Sequence, residues 1–294
     1  MLDRKNGQPE VLHYDNPDFP VFIRRNYIEQ PDELEDAFIH WHDELEFIYV
    51  LSGDIKYLIN GERIALQAGE GVFVNSRQLH RILGGTNKCE LLCLIFSPML
   101  LCAAKYVTGK FVQSILSAED LPYIFLKSDM DWQKNILQKV AAIYESTNYG
   151  EEELEIMAHL YHMWHLIVNN VKGQKQKSNA NNDLMYMKTM IEFIQGAYEE
   201  RVTLYDICKS GNMGKNKCIS LFWKYTNMSP VDYVRHYRVE KGIELLKYSH
   251  LTITEIAYAT GFSGASYFAE TFRKFMGCSP VQFREKYKKI TGGI

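Results

Sequence analysis

The stretch FIHWHDELEFIYVLSG, from Phe38 to Gly53, spaces two imidazoles and a carboxylate as His40-x-His42-x3-Glu46. A further histidine, His80, follows in GEGVFVNSRQLHRI. Alternate side chains of a strand share one face, so His40, His42 and Glu46 point the same way, with Ile48 and Val50 beside them. All of them can enter one small barrel, where His80 can join them. Three imidazole nitrogens and a carboxylate suit Fe, Mn, Ni or Zn. The same groups can equally satisfy one another and line a metal-free effector pocket. The candidate pocket is His40, His42, Glu46, Ile48 and His80, and the candidate metal ligands are His40, His42, Glu46 and His80; no cofactor is required. No other catalytic pattern competes: the chain has no P-loop, GxGxxG or GxSxG motif. Asn227-Met228-Ser229 matches a glycosylation sequon, but Pro230 follows it.

A second constellation is basic and duplicated. Net charge is −3, yet from Leu184 onward 16 lysines and arginines stand against 10 acids, leaving 17 against 26 for the rest. Such asymmetry is expected where only one region meets phosphates. FWKYTNMSPVDY (Phe222 to Tyr233) is nearly repeated as FRKFMGCSPVQF (Phe272 to Phe283). At an offset of 50, Gly211 maps to Gly261, Phe222 to Phe272 and Ser229-Pro230 to Ser279-Pro280. At 49, Thr203, Asp206 and Ile207 map to Thr252, Glu255 and Ile256. Hydroxyl caps open each unit, in TLYD and TITE, and SPVD and SPVQ close it. Each unit thus reads as helix, glycine turn, helix and a capped third helix, with Gly211 and Gly261 expected to take the left-handed backbone.

That is the pattern of a helix-turn-helix, whose second helix enters the major groove. Cys218, Phe222 and Tyr225, and then Phe268, Phe272 and Phe275, mark the core faces. The opposite faces and their flanks supply the DNA-contacting candidates. These are Lys215, Asn216, Lys217, Ile219, Ser220 and Trp223 in the first unit, and Ala265, Ser266, Ala269, Glu270, Arg273 and Lys274 in the second. Asn216, Ser220, Ser266 and Glu270 are suited to base edges, Lys215, Lys217 and Arg273 to phosphates. VDYVRHYRVEKGIELLKYS (Val231 to Ser249) reads as one rigid helix between the units, suited to two major-groove segments about one turn (~34 Å) apart.

These sites need scaffolds. Before residue 97 apolar residues often alternate and turn signals recur, above all Asn60-Gly61 within IKYLINGERIAL, a hairpin signature. From Asp131 to Val171 the period is helical. Ile136, Val140 and Ile143 share a face, whereas Glu153–Val171 is apolar around most of its girth. Its surplus needs a cover: a second copy, which would make Leu160 and Trp164 interface residues, the C-terminal domain, or Asp131–Ser146. GQKQKSNANND is a polar linker. The expected fold is α+β. Residues 1–110 form a cupin-like sensor barrel, 111–172 a helical dimerisation segment, 173–183 the linker and 184–294 an all-α double helix-turn-helix domain. The start lacks a signal-peptide core, LLCLIFSPMLLCAA is too short to span a membrane, and the six cysteines form no CxxC pair. A reducing cytoplasm is the expected location, with no membrane partner.

Two resemblances add to this reading. HxHxxxE followed by Gly53 resembles the first cupin motif, and the segment with His80 a weakened second one, with Asn75 where proline is usual. SPVDYVRHYRVEKGIELL and ITEIAYATGFSGASYFAETFRKFMGCSPVQFR resemble the AraC/XylS family of bacterial transcription regulators over roughly residues 185–290. That resemblance implies a homodimeric, effector-responsive regulator on double-stranded promoter DNA that activates transcription with RNA polymerase as a partner, and that is not an enzyme. Glu270, where many members are basic, and Met213, in place of the common serine cap, are departures that concern the target sequence. The alternative is a metal-dependent cupin enzyme fused to a DNA-binding domain.

Overall fold

The structure is a computed structural model describing residues 14, 16–28, 39–86, 88–102, 104–146, 153–171 and 182–290. The chain divides into two compact units, the second starting at Asn182.

Among the described residues the first unit has eight strands: β1 (Val21–Ile28), β2 (Leu45–Ser52), β3 (Asp54–Ile59), β4 (Glu62–Gln67), β5 (Gly71–Val74), β6 (His80–Gly84), β7 (Cys89–Phe96) and β8 (Tyr123–Leu126). Five form an antiparallel sheet ordered β1-β7-β2-β5-β8, and three form another, β4-β3-β6. Asn60 (φ 50°) and Gly61 (φ 84°) take the two left-handed positions of a tight hairpin, pairing Ile59 with Glu62. Strand β2 is buried on both faces, so simple alternation fades. Its Leu45 and Phe47 face a helix-covered core, while Ile48 and Val50 face a cluster with Tyr57, Ile59 and Leu66 of the smaller sheet.

Between β7 and β8 run a 3-10 turn (Pro98–Leu101), α1 (Lys105–Val107), a π-helical turn (Thr108–Val112) and α2 (Gln113–Leu116). Asn75 ties this excursion down by donating to the Ile115 and Leu121 carbonyls at 2.8 and 3.0 Å. The side chain standing where cupins usually have proline is thus a buried clamp. Strand β8 pairs with β5 beyond residue 110, so the sheet extends further along the chain than the expected barrel boundary. Its four residues, YIFL, are too few to reveal a strand by periodicity.

Helices α3 (Asp131–Ser146) and α4 (Glu153–Asn170) cover the large sheet. Ile136, Val140 and Ile143 are fully buried on one face of α3. The apolar girth of α4 is covered inside its own unit. Leu160 and Trp164 lie in the core with α3 and the sheet, and Trp164 donates to the Phe111 carbonyl at 3.0 Å. This corrects the assignment of Leu160 and Trp164 to a dimer face; what α4 leaves exposed includes Leu154 and Tyr161.

The expected linker lies outside the described residues from 173 to 181, and its last two positions, Asn182 and Asp183, already belong to a helix. The second unit comprises α5 (Asn182–Ala197), α6 (Leu204–Ser210), α7 (Lys215–Thr226), α8 (Pro230–Tyr248), α9 (Ile253–Ala259), α10 (Ala265–Met276) and α11 (Pro280–Ile290). Both capping boxes form: Thr203 with Asp206 and Thr252 with Glu255 each exchange side-chain and backbone hydrogen bonds. Ser229 and Ser279 cap α8 and α11.

The first of the two turns differs from expectation, and the second does not. Gly211 has φ −85°, and it is Asn212 (φ 48°) that matches Gly261 (φ 78°) in taking the left-handed conformation. The hydrogen bonds agree: Asn212 N–H to Lys209 O and Met213 N–H to Cys208 O recur as Gly261 to Tyr258 and Phe262 to Ala257. The repeat therefore keeps its offset of 49 through the turn. Gly214 and Gly264, the N-caps of α7 and α10, restore 50, so Ser263 is the added residue. Gly211 serves close approach instead: a Cβ there would lie 2.8 Å from Met190 Cγ.

Candidate functional site

In the second unit the core faces of α7 and α10 are set by buried Cys218, Leu221 and Phe222, and by Phe268, Thr271 and Phe272. What remains outward is the candidate DNA surface. On α7, Lys215, Asn216, Lys217, Ser220 and Trp223 are exposed and Ile219 is half-buried. On α10, Ser266, Glu270, Arg273 and Lys274 are exposed, with Ala265 and Ala269 half-buried; Ala269, Glu270, Arg273 and Lys274 line one shallow depression. The helices between and beside them hold the pair in register. Arg238 of α8 donates to the Tyr198 and Glu200 carbonyls at 2.8 and 2.6 Å, anchoring the chain just past α5. That chain passes so close to Gly261 that a Cβ there would lie 2.4 Å from Tyr198 O. Arg238 was missed as a positioning residue because its partners are backbone carbonyls 38 and 40 residues away, which no motif reveals.

Lys217 is not a bare cation. Its Nζ lies 2.8 Å from Asp183 Oδ1, and Lys224 Nζ lies 3.7 Å from Asp183 Oδ2. The hydrogen bond from Lys217, with help from the charge of both lysines, holds the Asp183 carboxyl below its usual pKa range.

In the first unit the structure brings His40, His42, Glu46 and His80 together, with one ligand atom from each lying within 4.8 Å of the others. They do not share one strand as expected. β2 begins only at Leu45; His40 forms an isolated bridge to His80, and the intervening turn swings His42 in. Ile48 belongs to the neighbouring inter-sheet cluster. His42 Nε2 and His80 Nε2 approach the same oxygen, Glu46 Oε2, at 3.2 and 3.0 Å. The other carboxylate oxygen accepts a short hydrogen bond from the Tyr57 hydroxyl. Tyr57 belongs to no motif, although its alternation with Ile55 and Ile59 on β3 points it inward.

The outer nitrogens fix the chemistry. His80 Nδ1 lies 2.8 Å from Gln78 O and His42 Nδ1 3.3 Å from Glu44 O. A carbonyl only accepts, so each Nδ1 carries its proton. Each Nε2 then either bears a second proton, as an imidazolium paired with Glu46, or turns its lone pair on a shared cation. Burial alone would raise the Glu46 carboxyl, but the His80 charge and the hydrogen bonds from both imidazoles outweigh it and hold it well below the usual range. An ionised carboxylate and imidazoles tethered through Nδ1–H are what a divalent transition metal requires of its ligands. The donor set fits. His42, Glu46 and His80 are buried and His40 is half-exposed, so His40 marks the accessible side.

Comparison with known proteins accounts for both units. A helix-turn-helix domain matches residues 207–286 and a cupin domain residues 29–95. The uncharacterized HTH-type transcriptional regulator YdeC of Bacillus subtilis (strain 168) is 32% identical over 251 residues, covering 84% of this chain and 86% of that protein. The melibiose operon regulatory protein of Escherichia coli (strain K12) is 24% identical over 84% of this chain and 83% of its own length. The HTH-type transcriptional activator RhaR of Mannheimia succiniciproducens is 20% identical over 92% and 93%. The chain belongs to the AraC family of transcriptional regulators, with a cupin domain ahead of its helix-turn-helix domain. It is a sequence-specific DNA-binding regulator of transcription, and these relatives do not favour the enzyme alternative. Among the described residues no helix is long and apolar enough to cross a membrane.

Proposed function

We propose that the chain is a cytoplasmic, effector-responsive transcription activator. Its first unit is the sensor, its second unit lays α7 and α10 into successive major-groove segments, and its input is read at His40, His42, Glu46 and His80. The observation that carries the sensor reading is the convergence of two Nε2 atoms on one oxygen of Glu46, with both Nδ1 atoms committed to carbonyls. Such a site holds a divalent transition metal, and binding releases whatever protons the Nε2 atoms carry. The bound ion would offer a Lewis-acidic contact for an oxygen of a small effector arriving beside His40. Ligand binding then shifts the population between DNA-binding geometries. Activation is supported by the similarity to RhaR, named as an activator. A homodimer and contact with RNA polymerase complete the proposal.

Elemental analysis of purified full-length protein, with thermal shift in nickel, zinc, manganese or iron(II) and in chelator, tests the site. One equivalent of metal, lost in Glu46→Gln and His80→Ala, is expected. Metal-independent stability together with a thermal shift from a metal-free effector would assign the cluster to a purely organic pocket.

A further inference from the structure

Asp183 was placed in the linker by its polar surroundings; it is instead the second residue of α5, turned toward the flank of α7. Lys217 and Lys224, seven residues apart, lie on that flank and bracket its carboxylate. Both lysines remain about half exposed, at 54% and 52%, and Asp183 is 32% exposed. The cluster therefore faces solvent, where a phosphate can compete for the same ammonium groups. Helix α7 itself contains Lys215, Lys217 and Lys224 and no acid, and Asp183 supplies a carboxylate against two of these three charges.

We propose that Asp183 is a built-in competitor for DNA phosphate: it restrains the sequence-independent attraction of α7 and thereby sets how far binding depends on base contacts. The inference rests on the reading that α7 lies against DNA. Lysine–phosphate contacts supply nearly all non-specific affinity and its salt dependence. A carboxylate already on those lysines acts in two ways. Its ion pairs must loosen before the ammonium groups reach phosphate, and it then stands as a fixed negative charge beside the backbone. An acid in the first turn also suits a helix N-terminus, so the test must separate that role from this one.

Full-length protein is titrated with a random-sequence duplex and a selected target duplex over a salt series. Asp183→Asn should bind the random duplex about two- to five-fold more tightly at low salt, the range an exposed ion pair commands, with a salt slope steeper by about one. Asn182→Asp combined with Asp183→Asn keeps the net charge and an acid at the helix start while moving it about 100° around α5; it should behave like Asp183→Asn. In a Lys217→Ala/Lys224→Ala background Asp183→Asn should lose the part of its gain that comes from freeing the ammonium groups and keep only the smaller part from removing a fixed negative charge. If the lysine pair weakens binding but Asp183→Asn leaves affinity and slope unchanged, or lowers them, the competitor is refuted while the α7 reading stands. If the lysine pair has no effect on any duplex, the α7 reading itself fails. A thermal midpoint for each variant identifies loss of fold, and the charge-shifted double variant then carries the test.

Discussion

Gly211 and Gly261 fall on the same position at a repeat offset of 50, but the structure predicts very different costs for giving each a side chain. At Gly261, φ is +78° and a Cβ would lie 2.4 Å from Tyr198 O and 2.9 Å from Glu199 O, both backbone atoms that no rotamer change can move. Left-handed backbone costs an L-residue about 1–2 kcal/mol. Displacing the 198–200 segment also strains the two hydrogen bonds from Arg238, each worth about 1.5–3 kcal/mol for a charged donor. Gly261→Ala should therefore destabilise the second unit by about 3–5 kcal/mol. At Gly211 the backbone is unstrained, and the neighbours are Met190 Cγ, Met190 Sδ and Met213 Cε, ends of flexible side chains. Gly211→Ala should cost about 1 kcal/mol, and Asn212→Gly, which keeps the left-handed residue, less than about 0.5 kcal/mol. Hydrogen exchange by mass spectrometry on the full chain, followed in peptides covering residues 190–200 and 253–276, reads these openings directly. Because the same contact sets α10 relative to α5, Gly261→Ala should also weaken target DNA binding more than Gly211→Ala does. Equal protection and equal affinity in the two variants would refute both the turn assignment and the docking argument.

Glu270→Ala should relax preference at one base pair by about 1–3 kcal/mol of discrimination; a binding-site selection identical to wild type would leave Glu270 as a surface acid that sees no base. Leu160→Asp should unfold the first unit, since Leu160 is fully buried, whereas Leu154→Glu with Tyr161→Glu should leave it folded and, if α4 pairs with its copy, give monomer in sedimentation. The capping carboxyls of Asp206 and Glu255 are held below their ordinary values, chiefly by hydrogen bonds from Thr203 and Thr252. Their contribution is complete above the unfolded values near pH 4 and is lost as pH falls through the depressed ones. The thermal midpoint of the second unit should thus fall on acidification less steeply in Asp206→Asn/Glu255→Gln than in wild type.

The second unit was largely legible because its signals are local. Caps, glycine turns and core spacing all lie within a few residues, and duplication repeats each of them. Where legibility failed, the deciding partner was remote. The glycine at 211 answers to Met190, on the distant α5, which lies beside it, while the left-handed position falls on Asn212. Asp183 looked like linker because its lysine partners lie 34 and 41 residues on. Composition alone cannot tell a helix covered by its own domain from one awaiting a partner, so a second copy, the C-terminal domain and Asp131–Ser146 all stand open as covers for α4, and the cover the structure shows for Leu160 and Trp164 is α3 with the sheet. In the His/Glu cluster, residue types and spacing already single out His40, His42, Glu46 and His80, whereas Tyr57 joins through the pairing of β3 with β6.

The outward faces of α7 and α10, which stand at matching positions of the sequence repeat, are chemically unequal. Helix α7 carries lysines moderated by Asp183, with Asn216, Ser220 and Trp223 outward; α10 carries Glu270 among Arg273 and Lys274. On the proposed docking, two unlike helices on one chain, joined by the 19-residue α8 and the Arg238 anchor, would not select the same sequence in both grooves. That docking predicts a target made of a tandem of two different segments, whose order would fix which way the chain lies on DNA. A palindrome needs two chains to acquire a direction-free site; here one chain already has direction. With both helices on one chain, docking of one would raise the effective concentration of the other without any new contact. Loosening the joint at Arg238 should cost affinity for the tandem while leaving each segment's base preference unchanged, which separates the role of the frame from the role of the side chains it presents.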